Sequence, residues 1–138
     1  MKFELKENER LFIEGHVAYL KSKVNVVQGD AYLTSERFVY CKKSPILSFL
    51  LLGPLFGLFV KGKDLVFEIP LCELKSIHEE KHGLGKKIIF TTNSGNEYAI
   101  AFGTRKEKWL KAIKEAVTNS VPNITVSEIG ERIDFTVS

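Results

Sequence analysis

The sequence has little of what usually marks a catalyst. It carries two cysteines and three histidines in 138 residues. It has no P-loop, no dinucleotide-binding fingerprint and no nucleophile elbow, so nothing points to the chemistry those motifs serve. Asp30, Asp64 and Glu68 form no evident acid pair. Cys41 and Cys72 sit inside apolar-patterned segments without motif spacing, and both are expected to be reduced core thiols of a cytoplasmic protein. Nothing marks Cys41 as reactive, even if His78 meets it in space. The start, MKFELKENER, has early acids and no apolar h-region, so no signal peptide is expected. The sequon at Asn123-Ile124-Thr125 is then expected to be idle. Internal repeats and low-complexity linkers are also missing.

Charge of one sign is missing as well. Lys and Arg total 20 against 17 for Asp and Glu, a net charge of +3. That balance permits an anionic partner without demanding one. The aromatics lie at core spacing and the charge is too low for a phosphate footprint, which argues against nucleic acid. No cofactor and no metal are expected. Hydrophobic residues make up 44% and charged residues 27%, ordinary for one globular domain that buries one core.

The pattern that fills this frame is mostly strand. In RLFIEGHVAYLK, Leu11, Ile13, Val17 and Tyr19 fall on one face, with Glu14 and His16 on the other. VQGD and TSER are turn-like, while AYLT and RFVYC are rich in strand formers. DLVFEIP places Leu65, Phe67 and Ile69 on one face and ends at Pro70. LCELKSIHEEKH reads partly as strand and partly as helix. KKIIFTT and NEYAIAF, separated by NSGN, predict a hairpin in which Tyr98, Ile100 and Phe102 share a face. The clearest helix is TRKEKWLKAIKEAVTNS. Thr104 and Glu107 form an expected capping box. Trp109, Leu110, Ala112, Ile113, Ala116 and Val117 make an apolar stripe, and Pro122 prevents continuation. The tail, ITVSEIGERIDFTVS, predicts one or two further strands. Many antiparallel strands followed by one amphipathic helix fit a curved sheet with the helix over its open end.

At GDAYLTSERFVY the chain resembles a GRAM domain of the pleckstrin-homology-like superfamily, in its bacterial-type members. Gly29, Tyr32, Leu33, Thr34, Arg37, Phe38, Val39 and Tyr40 fill the family's Gly, aromatic-Leu-Thr, Arg and apolar-strand roles. FEIPLCELKSI looks like the next family element, and the hairpin and the Trp-bearing helix complete the order. The resemblance covers about residues 8 to 118, most of one domain. It implies a mainly β fold with one helix: a PH-like split barrel of about seven antiparallel strands capped by a C-terminal amphipathic helix. It also implies a binding module for lipid headgroups or protein segments. The expected division is a GRAM/PH-like domain over 1–120 and a C-terminal extension over 121–138. Lys21 and Lys23 stand where phosphoinositide-binding relatives carry a dense basic pattern, so no particular inositol phosphate is implied.

One stretch departs from the family. Residues 44–63 form an insert between the third and fourth strands, with no charge from Ile46 to Val60 and Ser48 as its one polar side chain. A spanning helix needs about 20 apolar residues. This run is shorter, Gly53-Pro54 interrupts it, and crossing once would put consecutive strands on opposite sides of a membrane. A shallow hairpin fits better, with Phe49, Leu50, Leu51, Leu52, Leu55, Phe56, Leu58 and Phe59 at the acyl boundary and Lys42, Lys43, Lys61 and Lys63 at the headgroups. Each large side chain buried is worth roughly 1.5–3 kcal/mol and each lysine about 1 kcal/mol. Unpaired amides cost several kcal/mol each and oppose deep insertion. Two alternatives stay open: the run packs against its own barrel or tail, or it meets a partner, including a second copy in a homo-oligomer.

Residues 78–82, HEEKH, match the H-E-x-x-H of zinc peptidases, where a helix brings both histidines to one face. In a strand, residues four apart are separated by about 13 Å, so His78 and His82 then share no metal. A zinc hydrolase is a remote alternative to a solvated charged turn. The basic residues Arg105, Lys106, Lys108, Lys111 and Lys114 are either a solvated helix face or, with Lys61, Lys63, Lys86 and Lys87, a surface that orients the domain on anionic lipid. The expected protein is cytoplasmic and non-catalytic, peripheral at the inner face of the membrane, with an anionic membrane surface or a protein as its partner.

Overall fold

Alternating apolar and polar residues build the first half of the molecule as strands. The computed structural model describes residues 7–22, 24–42, 65–82 and 85–137. β1 spans Leu11–Leu20, β2 Val26–Thr34, β3 Arg37–Lys42 and β4 Leu65–Pro70. A 3-10 turn over Leu71–Glu73 leads into β5, Leu74–His82, followed by β6, Gly85–Thr92, and β7, Glu97–Ala101. A second 3-10 turn, Gly103–Arg105, precedes helix α1, Lys106–Ser120. The tail forms β8, Ile124–Ile129, and β9, Arg132–Val137.

The described strands make one sheet in the order β4-β3-β2-β1-β7-β6-β5-β9-β8, with every pairing antiparallel. The sheet curls, because strands far apart in this order touch through their side chains. Phe67 of β4 stacks on Tyr98 of β7 with ring centroids 4.2 Å apart, and Phe38 of β3 meets Phe90 of β6 edge-on at 4.8 Å. Helix α1 packs its stripe of Trp109, Ile113, Ala116 and Val117 into the same core. This spacing of four, three and one keeps the residues on one helical face. Trp109 lies among Phe38 and Phe102 and is fully buried. The expectation of a mainly β fold with one helix holds.

Several local readings are corrected. VQGD is strand, not turn: the chain reverses at Ser22 and Asn25, whose backbones bond each other. Gly29 within VQGD serves close approach, since a Cβ there would lie 2.3 Å from the Cys41 carbonyl oxygen and 2.9 Å from the Tyr40 ring. A β-bulge between Leu11 and Ile13 turns Leu11 away from the main core, onto Tyr32, Val39 and Cys41 on the outer face. A second irregularity between Tyr40 and Cys41 leaves Leu65 exposed while Phe67 and Ile69 stay buried. Such bulges break the strict period of two. The Thr104–Glu107 capping box does not form. Gly103, at φ +64°, starts a tight turn that carries Thr104, and the helix begins two residues later with no side-chain cap. Cys72 is exposed rather than core, because Leu71 takes the inward position of its turn; Cys41 is buried.

Candidate functional site

Strand register places the described residues on either side of the insert. β3 ends at Lys42 opposite Gly29, and β4 begins at Leu65 opposite Cys41. Residues 43–64 therefore leave and rejoin the sheet on adjacent strands, at the end where β1 turns into β2. Phe49, Leu50, Leu51, Leu52, Leu55, Phe56, Leu58, Phe59, Lys43, Lys61 and Lys63 all lie outside the described residues. Lys42 is described, and it is exposed at the tip of β3.

This end of the sheet is apolar where it meets solvent. Val24 is 94% exposed and Val26 48%, on the β1–β2 turn, beside exposed Lys21. Leu65 and Val66, at the start of β4, are also exposed. The two valines stand in KSKVNVVQ, Val24 after Lys23 and Val26 after Asn25, but a turn's exposure is not legible from its residues alone.

Beneath the rim lies a layer of aromatic rings. Tyr19 sits 5.0 Å from Phe67 and 5.7 Å from Tyr40, centroid to centroid, and Tyr40 stacks on Phe67 at 5.5 Å. The Tyr40 hydroxyl lies 2.8 Å from the Val17 carbonyl oxygen and 2.9 Å from that of Val27, so one proton serves two acceptors. Burial pushes the Tyr40 phenol well above its ordinary value. Burial, and then the nearby Tyr98, raise Tyr19. These rings fix the ends of β1, β3 and β4.

Arg37 sits at the other end of β3, about 16 Å from Lys42 by the rise of a strand. Its guanidinium is a structural hub. Nε donates to Glu9 Oε2 at 2.9 Å, Nη2 to Glu9 Oε1 at 3.2 Å, and Nη1 to Glu68 Oε2 at 2.9 Å. Burial works against the Arg37 charge, but the bonds to Glu9 and Glu68 outweigh it and raise its pKa. The Glu9 side chain is 0% exposed. Thr34 donates to the same carboxylate while its hydroxyl oxygen accepts the Glu36 and Arg37 amides, which closes the TSER turn. Sequence reasoning missed Glu9, and no local signal marks an acid that pairs 28 residues away.

The HEEKH residues are strand. His78 and His82 both lie in β5, four positions apart and so about 13 Å along it. His78 Nε2 is 2.7 Å from Glu80 Oε2. Among the described residues, no group of three or more His, Cys, Asp or Glu is placed to hold a metal. On the helix, Lys106 donates to Glu79 at 2.6 Å and Lys114 to Glu128 at 2.9 Å, and Lys86 lies 3.4 Å from Glu131. The Lys106 bond holds the Glu79 carboxyl below its usual range, and Glu79 in turn raises Lys106. Part of the basic face is thus answered internally, while Arg105, Lys108 and Lys111 stay exposed. A cleft of about 540 Å³ opens between α1, β5 and the β8–β9 hairpin, over Ile77, Ile88, Leu110 and Ile133. Among the described residues, no helix is long and apolar enough to cross a membrane.

No family model and no curated sequence matches the chain. Solved structures do. The Vps36 N-terminal PH domain superposes with a TM-score of 0.59 at 16% identity, over 84% of this chain and 84% of that one. The C-terminal domain of an unknown protein from Leishmania infantum gives 0.59 at 12% identity, over 81% of this chain and 87% of that one. The DH/PH domains of PDZ-RhoGEF, in complex with GTP-gamma-S activated RhoA, give 0.57 at 18% identity over 83% of this chain. This chain spans 31% of that longer molecule. The fold is therefore that of a PH domain.

Proposed function

We propose that this PH-like chain is a non-catalytic GRAM-type module, cytoplasmic, that attaches peripherally to the anionic inner face of a membrane through residues 44–63. One observation carries the reading. The insert leaves the sheet at an end that already exposes Val24, Val26, Leu65 and Val66 beside Lys21 and Lys42. An apolar run joined to an apolar, basic rim suits the headgroup boundary better than open water. Phe49, Leu50, Leu51, Leu52, Leu55, Phe56, Leu58 and Phe59 supply the anchor. Lys42, Lys43, Lys61 and Lys63 supply attraction worth about 1 kcal/mol each. PH-like folds serve as lipid- or protein-binding modules more often than as enzymes.

The experiment is a salt titration of binding to anionic vesicles. Raising ionic strength shortens the screening length from about 10 Å at 0.1 M to 3 Å at 1 M. Affinity is expected to fall, and to fall further when Lys42, Lys43, Lys61 and Lys63 become Glu. Salt-independent binding contradicts the electrostatic half of the proposal.

A second reading keeps the same residues and changes the partner: a protein-interaction or self-assembly module that uses the insert as its interface. The structural similarity to the PDZ-RhoGEF DH/PH chain, itself seen in complex with RhoA, favours keeping it. It predicts a mass above monomer, or a protein complex, without lipid.

A further inference from the structure

The described strands end in two edges, β4 and β8. Among the described residues, β8 is the last strand in the sheet order. Its six residues run in unbroken register against β9, from Ile124 opposite Val137 to Ile129 opposite Arg132. Ile124 and Val126 pack on the core, and Glu128 turns the same way to accept from Lys114 at 2.9 Å. Thr125, Ser127 and Ile129 face solvent, with Ile129 72% exposed. The hairpin reverses through two residues, Gly130 and Glu131, with Gly130 at φ +60°. A two-residue turn closes on a hydrogen-bonded pair, here Ile129 and Arg132. Alternation along the ladder then leaves the amides and carbonyls of Ile124, Val126 and Glu128 pointing away from β9. Among the described residues, no backbone bond outside the ladder involves this strand.

Natural sheets blunt such an edge with lysine, proline, a bulge or a covering loop. ITVSEI has no lysine, arginine or proline, and its register shows no bulge. Its one charge, Glu128, is engaged by the helix.

We propose that β8 is a self-pairing edge, and that two copies of this chain join β8 to β8, antiparallel, about a two-fold axis at Val126. Directly opposed residues then share a face. Val126 meets its own counterpart on the helix side, and Thr125 meets Ser127 of the other copy on the solvent side, in both halves of the pair. Hydroxyl pairs of this kind support cross-strand pairing. Glu128 falls opposite Ile124, so no like charges face each other. An unrelated peptide gains the same backbone bonds but not this match of the strand to itself, which favours a second copy.

The test is sedimentation equilibrium of the full chain without lipid. Wild type is expected to sediment at twice the monomer mass. Thr125→Lys/Ser127→Lys puts lysine opposite lysine twice and is expected to sediment as a monomer; both sites are solvent-exposed, so the circular dichroism stays unchanged. Thr125→Glu/Ser127→Glu is expected to do the same alone. Mixing the Lys and Glu variants is expected to restore the dimer, which loss of folding does not do. Monomeric wild type overturns the proposal, as does a dimer that either variant leaves intact or a mixture that fails to re-form it. A dimer lost in Leu51→Asp/Phe56→Asp but kept in the lysine variant assigns assembly to the insert and also overturns it.

Discussion

Replacing Arg37 with Ala removes the guanidinium that lies between Glu9 and Glu68 and takes from the Glu9 carboxylate, 0% exposed, its two bonds to Arg37. Removing one partner of a buried ion pair costs about 3–5 kcal/mol, because the other charge is left in a poorly solvating site. Glu68 is 38% exposed and contributes little, since water screens it. The lower end, about 3 kcal/mol, is the expected loss. At roughly 3–5 °C per kcal/mol for a chain of this size, melting falls by about 10 °C. Urea unfolding is the assay, and the midpoint is expected to drop while the slope stays constant. Adding Glu9→Gln to the Ala variant is expected to recover part of the loss, because an amide is cheaper to bury than a carboxylate. Vesicle binding by the folded Arg37→Ala protein is expected to match wild type, since Arg37 lies at the end of β3 remote from Lys42. A loss below about 1 kcal/mol, or no recovery in the double variant, refutes the assignment of Arg37 as a structural hub.

Other outcomes follow from the same geometry. Gly29→Ala forces the Cys41 carbonyl and the Tyr40 ring apart, and thermal melting is expected to show a loss of about 1–3 kcal/mol. The Glu79 carboxyl is held below its ordinary 4.5, so its contribution is full above that pH and is lost as pH falls toward the lowered value. Lys106 is raised above its ordinary 10.5, so its share is full below that pH and is lost as pH rises further. The melting difference between wild type and Glu79→Gln is therefore expected to be flat through neutral pH and to shrink at acid pH. A difference that grows on acidification contradicts the pairing. His78→Ala/His82→Ala is expected to leave the zinc content of the purified protein unchanged, measured by elemental analysis, because the strand holds the two positions apart.

The helix stripe and the hairpins were legible because burial imposes a period on sequence. Trp109, Ile113, Ala116 and Val117 repeat as a helix demands, and Tyr98, Ile100 and Phe102 as a strand does. What escaped is what breaks or bypasses a period. The bulges at Leu11 and beside Tyr40 turn side chains over without changing composition. Gly29 reads as a turn residue because local propensity cannot show the Tyr40 ring resting on it. Thr104 and Glu107 have the spacing of a cap, but the backbone entering through Gly103 decides where the helix begins. Glu9 and Arg37 meet only because β2 and β3 fold back on the N-terminal segment. For the candidate site, the sequence offers the apolar run and its lysines, which apart from Lys42 lie outside the described residues. The rim of Val24, Val26, Leu65 and Val66 emerged only when strand register placed them at one end.

The most direct measurement is co-sedimentation with vesicles, neutral against anionic, for wild type and Leu51→Asp/Phe56→Asp. Wild type is expected to pellet with anionic vesicles, and the folded double variant to stay in the supernatant. Wild type that stays in solution with both vesicle types, or a variant that pellets equally well, contradicts attachment through residues 44–63.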